Sequence, residues 1–389
     1  MPEPFEVEYC LQLGQRYLVN QQQELALLQF DQVIAWDPGH FEAWVNRALA
    51  LAHLGRYPAS IESFDRALAL RPDHERVWNN RGIALADWGH HLEAIDSFEQ
   101  VIRLNPEHYE AWANKGNSLA ALERWEAALE AYRQAVTINP SYYKAWSNQG
   151  NIFVALGNPL RGVGCFRRAL HLNPDDAQVW FNLGCCYTTC GDPKAALAAY
   201  EEGLKVDPDH IGCCMNKGTL LPKGPESLAI YEHILQVLAN KPGSSSREAT
   251  HAWNNRGLVL RHMGRVEEAI SSYERAVECD PGNFEAWDNR GYALIKLGRL
   301  TEALASIEQS LQVNPNHVNG IYNKGYCYAL MGRTREAIDC IAEAIRLNPQ
   351  KYGTAARIDP DLDRLRKNKR FQALLAKLPP SGEVELWDQ

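Results

Sequence analysis

The sequence predicts an all-α solenoid made of ten helix-turn-helix repeats of one length. The first observation is a set of prolines that recur every 34 residues, with one interval of 39 residues before the last three. The second is a Trp and a Gly at fixed offsets from the proline, and the third is a pair of apolar runs with helical spacing in each repeat. A fixed period of this length is typical of stacked supersecondary units. The prolines are Pro38, Pro72, Pro106, Pro140, Pro174, Pro208, Pro242, Pro281, Pro315 and Pro349.

Four further positions recur when each repeat is read backward from its proline. A Trp stands 28 residues before the proline in seven repeats, and a Gly stands 24 residues before it in nine. A small residue usually stands 12 residues before it, and an aromatic residue or Ile stands eight before it. The small residues allow the paired helices to approach closely. The Trp and Gly residues are Trp44, Trp78, Trp112, Trp146, Trp180, Trp253 and Trp287, and Gly14, Gly82, Gly116, Gly150, Gly184, Gly218, Gly257, Gly291 and Gly325.

The third repeat shows how two helices follow from this pattern. Trp78 and Leu85 fall on one face of a first helix, and Phe98 falls on one face of a second. Gly89 separates the two runs and suits the C-cap of the first helix. Pro106 ends the second helix, because proline lacks a backbone donor and crowds the preceding turn. Such a hairpin cannot bury its apolar face alone and must stack on its neighbours.

These repeats resemble tetratricopeptide repeats, in which Trp, Gly, Ala, an aromatic residue, Ala and Pro stand at these offsets. The resemblance covers about residues 7 to 351. It implies a right-handed superhelix of ten repeats, followed here by a C-terminal capping helix. It also implies that the concave face binds a partner protein and that the chain is not an enzyme.

The repeats are interrupted once, which predicts five segments. Residues 7–210 hold repeats 1–6, residues 211–249 hold an irregular repeat 7, and residues 250–351 hold repeats 8–10. In repeat 7, Cys214 replaces the Trp, and the segment Leu221–Pro225 should end the first helix early. The segment Lys241–Ser246 reads as a flexible loop that carries the five extra residues. This insertion is interpreted either as a hinge or partner-contacting lip, or as a tolerated surface insertion.

The chain is predicted to close with a cap and a tail. Residues 352–378 form the predicted capping segment, in which Leu365, Phe371, Leu374 and Leu375 are apolar among charged residues. Residues 379–389 are predicted to be disordered.

Composition excludes several classes of function. The net charge of −8 argues against a binder of nucleic-acid backbones, which needs clustered Lys and Arg. The first ten residues are acidic and lack the apolar core of a signal peptide, and no apolar run approaches the length of a membrane span. Ten cysteines without a disulfide-framework spacing suggest a reducing compartment. We therefore expect a cytoplasmic protein that binds no nucleic acid and does not insert into a membrane.

An asparagine two residues after each Trp position is the strongest candidate for a binding element. These residues should form a ladder along one face, and each amide offers two donors and two acceptor lone pairs to an extended peptide. The alternative is that Asn belongs to the repeat consensus and holds neighbouring structure. The ladder residues are Asn46, Asn80, Asn114, Asn148, Asn182, Asn216, Asn255, Asn289 and Asn323.

Helical spacing places further side chains beside this ladder. Repeats 3–6 offer a mainly amide surface, and repeats 8–10 offer a more aromatic one, whose tyrosines would be either anchors for a ligand or packing between helices. The first group is Asn79, Asn117, Asn151, Lys144 and Ser147, and the second is Asn254, Asp288, Tyr292, Tyr322 and Tyr326.

Basic residues directly after the ladder have two interpretations. They form either a basic rail for an acidic partner or ion pairs with nearby Glu side chains. The carboxylate clamp of some cochaperone repeats is not matched, because Ala113, Gln178 and Asn182 stand where it requires basic residues. The basic residues are Arg47, Arg81, Lys115, Lys217, Arg256, Arg290 and Lys324.

Signals for chemistry are weak. The cluster Cys185, Cys186, Cys190, Cys213 and Cys214 allows a thiolate metal or redox site, but its spacing matches no zinc pattern and its members suit small core residues. No phosphate-binding loop, nucleophile elbow or kinase signature is present. We expect no catalytic residue, metal or cofactor.

The leading hypothesis is a scaffold that binds an extended peptide or a helix of a partner protein along the ladder. The first alternative is an assembly or adaptor factor that uses its convex surface or self-associates. The second is a redox-responsive or metal-responsive regulator that uses the segment Cys185–Cys214.

Overall fold

A computed structural model describes residues 3–240 and 246–378. These residues form 23 α-helices and one 3-10 helix, and no strand is found among them. One compact body extends to Val206 and a second begins at Asp207. They are called the N-terminal body and the C-terminal body.

The N-terminal body contains twelve helices in six consecutive pairs. Their bounds are α1 Pro4–Val19, α2 Gln23–Trp36, α3 Phe41–His53, α4 Tyr57–Leu70, α5 Glu75–Asp87, α6 His91–Leu104, α7 Tyr109–Ala121, α8 Trp125–Ile138, α9 Tyr143–Ala155, α10 Pro159–Leu172, α11 Ala177–Thr189 and α12 Pro193–Val206.

The C-terminal body contains the remaining helices. Their bounds are α13 Ile211–Leu220, α14 Pro225–Asn240, α15 Ser246–His262, α16 Val266–Cys279, α17 Phe284–Lys296, α18 Leu300–Val313, α19 Val318–Leu330, α20 Thr334–Leu347, α21 Pro349–Ile358, the 3-10 helix Pro360–Leu362, α22 Asp363–Arg366 and α23 Lys369–Ala376.

Close packing within each pair explains the recurring Gly and aromatic residue. A Cβ atom added to Gly116 would lie 2.7 Å from Tyr132 Cε1, and one added to Gly82 would lie 2.6 Å from Phe98 Cε1. These contacts confirm that the small residue lets the two helices approach. Between the helices, Gly89 has a φ of +86°, which confirms the left-handed C-cap.

A hydrogen bond between repeats explains why Trp and Pro recur together. The indole N–H of Trp78 donates to the carbonyl of Pro72 at 2.7 Å, and that of Trp44 donates to the carbonyl of Pro38 at 2.9 Å. The same bond forms at Trp112, Trp146, Trp180 and Trp287. Each of these six Trp residues therefore fixes its helix to the turn that ends the preceding repeat.

The basic residues after the ladder also join neighbouring repeats. Arg81 lies 2.8 Å from Asp65 of the preceding repeat and donates to Ser97 Oγ of its own repeat at 2.7 Å. This pairing supports the ion-pair interpretation over a free basic rail. Equivalent pairs are Arg47 with Asp31, Lys115 with Glu99, Arg256 with Glu232, Arg290 with Glu274 and Lys324 with Glu308.

Repeat 7 is shortened within its helix pair. Helix α13 has 10 residues whereas α11 has 13, and it stops at Leu220 before the Pro-rich segment, as the sequence predicts. Gly218 then packs against Tyr231, thirteen residues later, whereas Gly184 packs against Tyr200, sixteen residues later. The early break has shifted the aromatic partner by about one helical turn.

The insertion after repeat 7 differs in part from the sequence prediction. Ser246, predicted to lie in a loop, is the first residue of α15, so the predicted boundary between residues 249 and 250 falls inside a helix. Arg247, Glu248 and Ala249 lack the Pro and Gly that would prevent helix formation, and Thr250 Oγ1 donates to the Ser246 carbonyl. Residues 241–245 lie outside the described residues.

The C-terminal capping segment is divided into short helices. Helix α21 begins at Pro349 and therefore spans the predicted boundary between residues 351 and 352. Pro360 separates it from α22 and α23. Leu365 and Phe371 are buried, whereas Leu374 and Leu375 are half-buried. The predicted tail, residues 379–389, lies outside the described residues.

Within residues 3–240 and 246–378, no helix combines the length and the apolar character that crossing a membrane requires.

Candidate peptide-binding groove

The ladder asparagines all lie on the first helix of a repeat. In the N-terminal body they are half-buried on α3, α5, α7, α9 and α11, and in the C-terminal body they are half-buried on α13, α15, α17 and α19. Each therefore presents part of its amide at the surface. In the order of these helices they are Asn46, Asn80, Asn114, Asn148, Asn182, Asn216, Asn255, Asn289 and Asn323.

In the N-terminal body the ladder is tied to the preceding repeat by amide–amide hydrogen bonds. The Nδ2 atoms of Asn114, Asn148 and Asn182 each donate to an Oδ1 on the preceding first helix, so these ladder residues hold neighbouring side chains. We call the six asparagines of the three pairs that follow the amide row. Its pairs are Asn114 with Asn79 at 3.4 Å, Asn148 with Asn117 at 2.8 Å and Asn182 with Asn151 at 3.0 Å.

The amide row keeps hydrogen-bonding capacity after these pairs form. Asn117 and Asn151 are exposed and accept through Oδ1, so their NH₂ groups remain available. Asn114 and Asn148 donate through Nδ2, so their carbonyl oxygens remain available. Repeats 4 and 5 thus each offer an available NH₂ group and an available carbonyl oxygen, at Asn117 and Asn114 and at Asn151 and Asn148.

A buried tyrosine orients one member of the row. The hydroxyl of Tyr132 donates to Asn117 Oδ1 at 2.7 Å. Tyr132 is 2% exposed, and its burial raises the pKa of the phenol above its ordinary value. Because the hydroxyl stays protonated, it fixes the carbonyl of Asn117 inward and the NH₂ group outward.

Four other predicted residues behave differently. Lys144 is exposed on α9, whereas Ser147 is buried there. Asn46 and Asn80 make no side-chain hydrogen bond within the part of the chain that the structure describes. The row therefore covers repeats 3–6, the stretch that the sequence favours.

Two cavities open beside the amide row. One of about 260 Å³ is lined by Asn114 and Asn117, and one of about 370 Å³ is lined by Asn117, Asn148 and Asn151. They provide space for side chains next to the available amides.

In the C-terminal body two ladder residues, Asn289 and Asn323, have buried partners instead. Asn289 Nδ2 donates to Asn254 Oδ1 at 3.0 Å, and Asn323 Nδ2 donates to both Asp288 oxygens at 3.0 and 3.1 Å. Asn254 and Asp288 are only 6% and 4% exposed. Asn254, which the sequence predicts to contact a ligand, is therefore buried and bonded to Asn289 instead.

The aromatic residues of this body are covered by its own C-terminal segment. Tyr326 is 3% exposed and donates a hydrogen bond to Asp361 of the 3-10 helix. Lys296 Nζ lies 3.3 Å from the Tyr326 hydroxyl and 3.9 Å from Asp361 Oδ2. A ligand can contact Tyr326 only after this segment moves, a constraint that the sequence pattern did not reveal.

Tyr292 and Tyr322 differ in exposure. Tyr292 is half-buried between two cations, with Arg261 at 5.0 Å and Lys296 at 5.3 Å from its ring centroid. Tyr322 is 8% exposed and packs against the ring of Tyr352 at 5.1 Å. Only Tyr292 among these tyrosines keeps appreciable exposed surface.

The cysteine cluster consists mainly of buried thiols. Cys186, Cys213 and Cys214 are at most 4% exposed, and burial raises the pKa of both Cys186 and Cys214 to about 11. Such thiols are poor nucleophiles near neutral pH. Within the described ranges, no three or more His, Cys, Asp or Glu residues are arranged to hold a metal ion.

The fold and the repeated inter-repeat bonds define a helical repeat protein that presents a binding surface. Family models described as tetratricopeptide repeat match residues 13–77, 79–143, 177–210, 251–283, 272–305 and 318–351. Together these matches cover more than half of the chain. The chain belongs to the tetratricopeptide repeat family, whose repeats serve as modules of protein interaction.

Solved structures of other proteins resemble parts of this chain, and one of them has a TM-score above 0.5, which shows the same fold. The C-terminal part of a TPR repeat-containing protein from Cytophaga hutchinsonii is 17% identical, with a TM-score of 0.52 over 62% of this chain and 97% of that chain. MamA from Desulfovibrio magneticus RS-1 is 23% identical over 44% of this chain and 97% of that chain, with a TM-score of 0.42. YrrB, described as a TPR protein with an unusual peptide-binding site, is 20% identical over 59% and 98%, with a TM-score of 0.37. No curated protein matches the sequence.

Proposed function

We propose that this protein is a non-enzymatic scaffold that binds an extended segment of a partner protein along the amide row. The observation that carries the proposal is the pairing of Asn148 with Asn117 and of Asn182 with Asn151. In each pair the amides fix one another and still leave donors and acceptors at the surface. A preorganised row of this kind loses little side-chain entropy on binding.

An extended backbone suits the row better than a folded surface does. Its N–H and C=O groups are unsatisfied and repeat along the chain, so successive amides can bind them whatever the ligand side chains are. The neighbouring cavities then supply side-chain selectivity. Backbone contacts thus provide affinity, and the cavities determine which ligand side chains are accepted.

The N-terminal body is the better site because its row is open. In the C-terminal body, Asp361 accepts a hydrogen bond from Tyr326, and the partners of Asn289 and Asn323 are buried. An external segment would have to replace intramolecular contacts there, whereas it meets available amides in the N-terminal body.

A cytoplasmic location is part of the same proposal. All ten cysteines are free thiols, and six of them are buried. Free buried thiols suit a reducing compartment.

The proposal is tested with peptides selected from a random display library on the full-length chain. Dissociation constants are then measured for the native protein, for Asn148→Ala and for Asn289→Ala. We expect Asn148→Ala to weaken binding about tenfold, since a net contribution of about 1 to 1.5 kcal/mol per hydrogen bond is lost. Asn289→Ala is the matched control, because it removes the same residue type and an equivalent inter-repeat bond from the C-terminal body.

Both variants must keep the helicity and the monomer mass of the native chain. If the selected peptides bind the native protein and Asn148→Ala with equal affinity, the amide row is not their binding site. Loss of binding in Asn289→Ala alone would move the site to the C-terminal body.

A further inference from the structure

The smaller cavity beside the amide row has an unusual lining. It lies between α5, α6 and α7 and has a volume of about 260 Å³. Ile83 and Ala86 form an apolar wall, and Ile83 is 39% exposed. Asp87, His91 and Ser118 supply polar groups to the lining.

Two of these polar groups are buried without a partner. Ser118 is 1% exposed, and its Oγ makes no hydrogen bond within the described residues. His91 Nδ1 is likewise enclosed and without a hydrogen-bond partner there. Buried polar atoms are nearly always hydrogen-bonded in folded proteins, to protein groups or to water, so these two atoms keep hydrogen-bonding capacity beside the cavity.

The charge of the cavity comes from Asp87. This exposed carboxylate at the end of α5 makes no hydrogen bond or ion pair with any described residue. The cavity also holds the available carbonyl of Asn114. The carboxylate of Asp87 and the carbonyl of Asn114 are acceptors, and the hydroxyl of Ser118 can also accept, whereas Lys and Arg are absent from the cavity lining.

We propose that this cavity binds a basic side chain of the segment held by the amide row, and that arginine suits it best. The inference deepens the proposed function by naming one feature of the partner. A guanidinium carries five N–H donors in a fixed plane, so one group can donate to Asp87 and to acceptors on other helices at once. Its methylene stem packs on Ile83. An anionic side chain would instead face the carboxylate of Asp87.

The test uses a single capped residue, so that it does not depend on any peptide. Nα-acetyl-arginine N-methylamide is titrated into the isotope-labelled full-length protein, with the corresponding citrulline compound as an uncharged control of the same shape. Side-chain NH₂ signals of Asn114 and Asn117 and the backbone amide of Ser118 are followed by NMR. We expect saturable shifts with the arginine compound and at least about fivefold weaker binding of the citrulline compound.

Two variants locate the effect. Asp87→Asn keeps the shape of the side chain and removes its charge. Because Asp87 is exposed and unpaired, the fold should stay intact, and the affinity for the arginine compound should fall about fivefold. Ser118→Ala should raise the melting temperature while lowering affinity, because it removes an unsatisfied buried hydroxyl that the ligand would otherwise satisfy. A merely structural serine would not give these opposite changes.

Absence of saturable shifts at Asn117 and Ser118, or equal binding of the arginine and citrulline compounds, would overturn this inference. Those results would leave the dependence of selected peptides on Asn148 untouched. Conversely, specific binding of the arginine compound would stand even if no peptide used the amide row.

Discussion

The two bodies carry the same asparagine ladder, but the residues beside it differ. In the N-terminal body, Asn148 pairs with Asn117, an exposed amide that keeps its NH₂ group available. In the C-terminal body, Asn323 pairs with Asp288, a carboxylate that is 4% exposed. The ladder position is therefore a structural element in both bodies, and its neighbours decide whether it can also bind a ligand.

The second difference is whether the surface beside the ladder is open or covered. Asn117 and Asn151 border two open cavities, whereas Tyr326 lies under Asp361. The C-terminal segment thus covers, in its own body, the surface beside the ladder that stays open in the N-terminal body. Three experiments test this contrast, from the largest expected effect to the smallest.

Alkaline pH should unfold the C-terminal body first. Burial raises the pKa of Tyr231, Tyr273 and Tyr352 to about 12, and it also raises the pKa values of Tyr322 and Tyr326. These phenols stay neutral in the folded state while the unfolded chain ionises near pH 10. Their stabilising contribution is complete below pH 10 and is lost above it, by about 1.4 kcal/mol per tyrosine and pH unit until each folded pKa is reached.

In the N-terminal body, burial raises the pKa values of Tyr132 and Tyr142. Both bodies also contain thiols whose pKa values burial raises, such as Cys165 and Cys186 in the N-terminal body and Cys214 and Cys327 in the C-terminal body. Hydrogen exchange between pH 9 and 12, corrected for the intrinsic rate, measures the order of unfolding. Tyr273→Phe is the control and should shift the loss in its body to higher pH. Earlier loss of α5 to α10 would contradict the assignment.

Phe371→Ala should open the covered surface of the C-terminal body. Phe371 is fully buried in α23, and removal of such a side chain costs about 3 to 5 kcal/mol. The capping segment should then detach and release Asp361 from Tyr326. Hydrogen exchange of residues 318–330 should rise, whereas that of residues 109–155 should stay as in the native chain.

Lys369→Ala is a suitable control for this change, because Lys369 is exposed in the same helix. Unchanged protection of α19 in Phe371→Ala would show that the capping segment does not hold the aromatic surface closed.

A matched pair of hydroxyl deletions gives the smallest effects. Tyr132→Phe removes the bond to Asn117 in the N-terminal body, and Tyr326→Phe removes the bond to Asp361 in the C-terminal body. Each should reduce the free energy of unfolding by about 1 kcal/mol. Only Tyr132→Phe should weaken the binding of selected peptides, because it frees the Asn117 side chain to rotate. Denaturant titration and peptide affinity measure the two effects, and equal affinity losses in both variants would contradict the contrast.

The helical pairs could be predicted from sequence because each depends on local spacing. Gly82 and Phe98 occupy fixed positions within one hairpin, and the structure brings them into contact. Gly89 likewise specifies its own backbone conformation. In the insertion, by contrast, Ser246 was assigned to a loop because the neighbouring Gly and Pro dominate the local composition, and the helix-forming residues after it extended α15 instead.

The partners across repeats were harder to predict, because they depend on how neighbouring repeats stack. Asn114 pairs with Asn79, 35 residues earlier, whereas Asn148 pairs with Asn117, 31 residues earlier. Only the stacking of successive first helices decides between these spacings. The contact of Asp361 with Tyr326 had no sequence signal at all, since the capping segment lies outside the repeat pattern.

The most direct test of the central claim is to locate a bound peptide. A library-selected peptide carrying benzoylphenylalanine at each position in turn is photo-crosslinked to the full-length protein, and the crosslinked residues are identified by mass spectrometry. The account predicts crosslinks on the first helices α5, α7, α9 and α11, with residues near Asn117 and Asn151 most frequent. Crosslinks confined to the second helices α8 and α10, or to the C-terminal body, would contradict it.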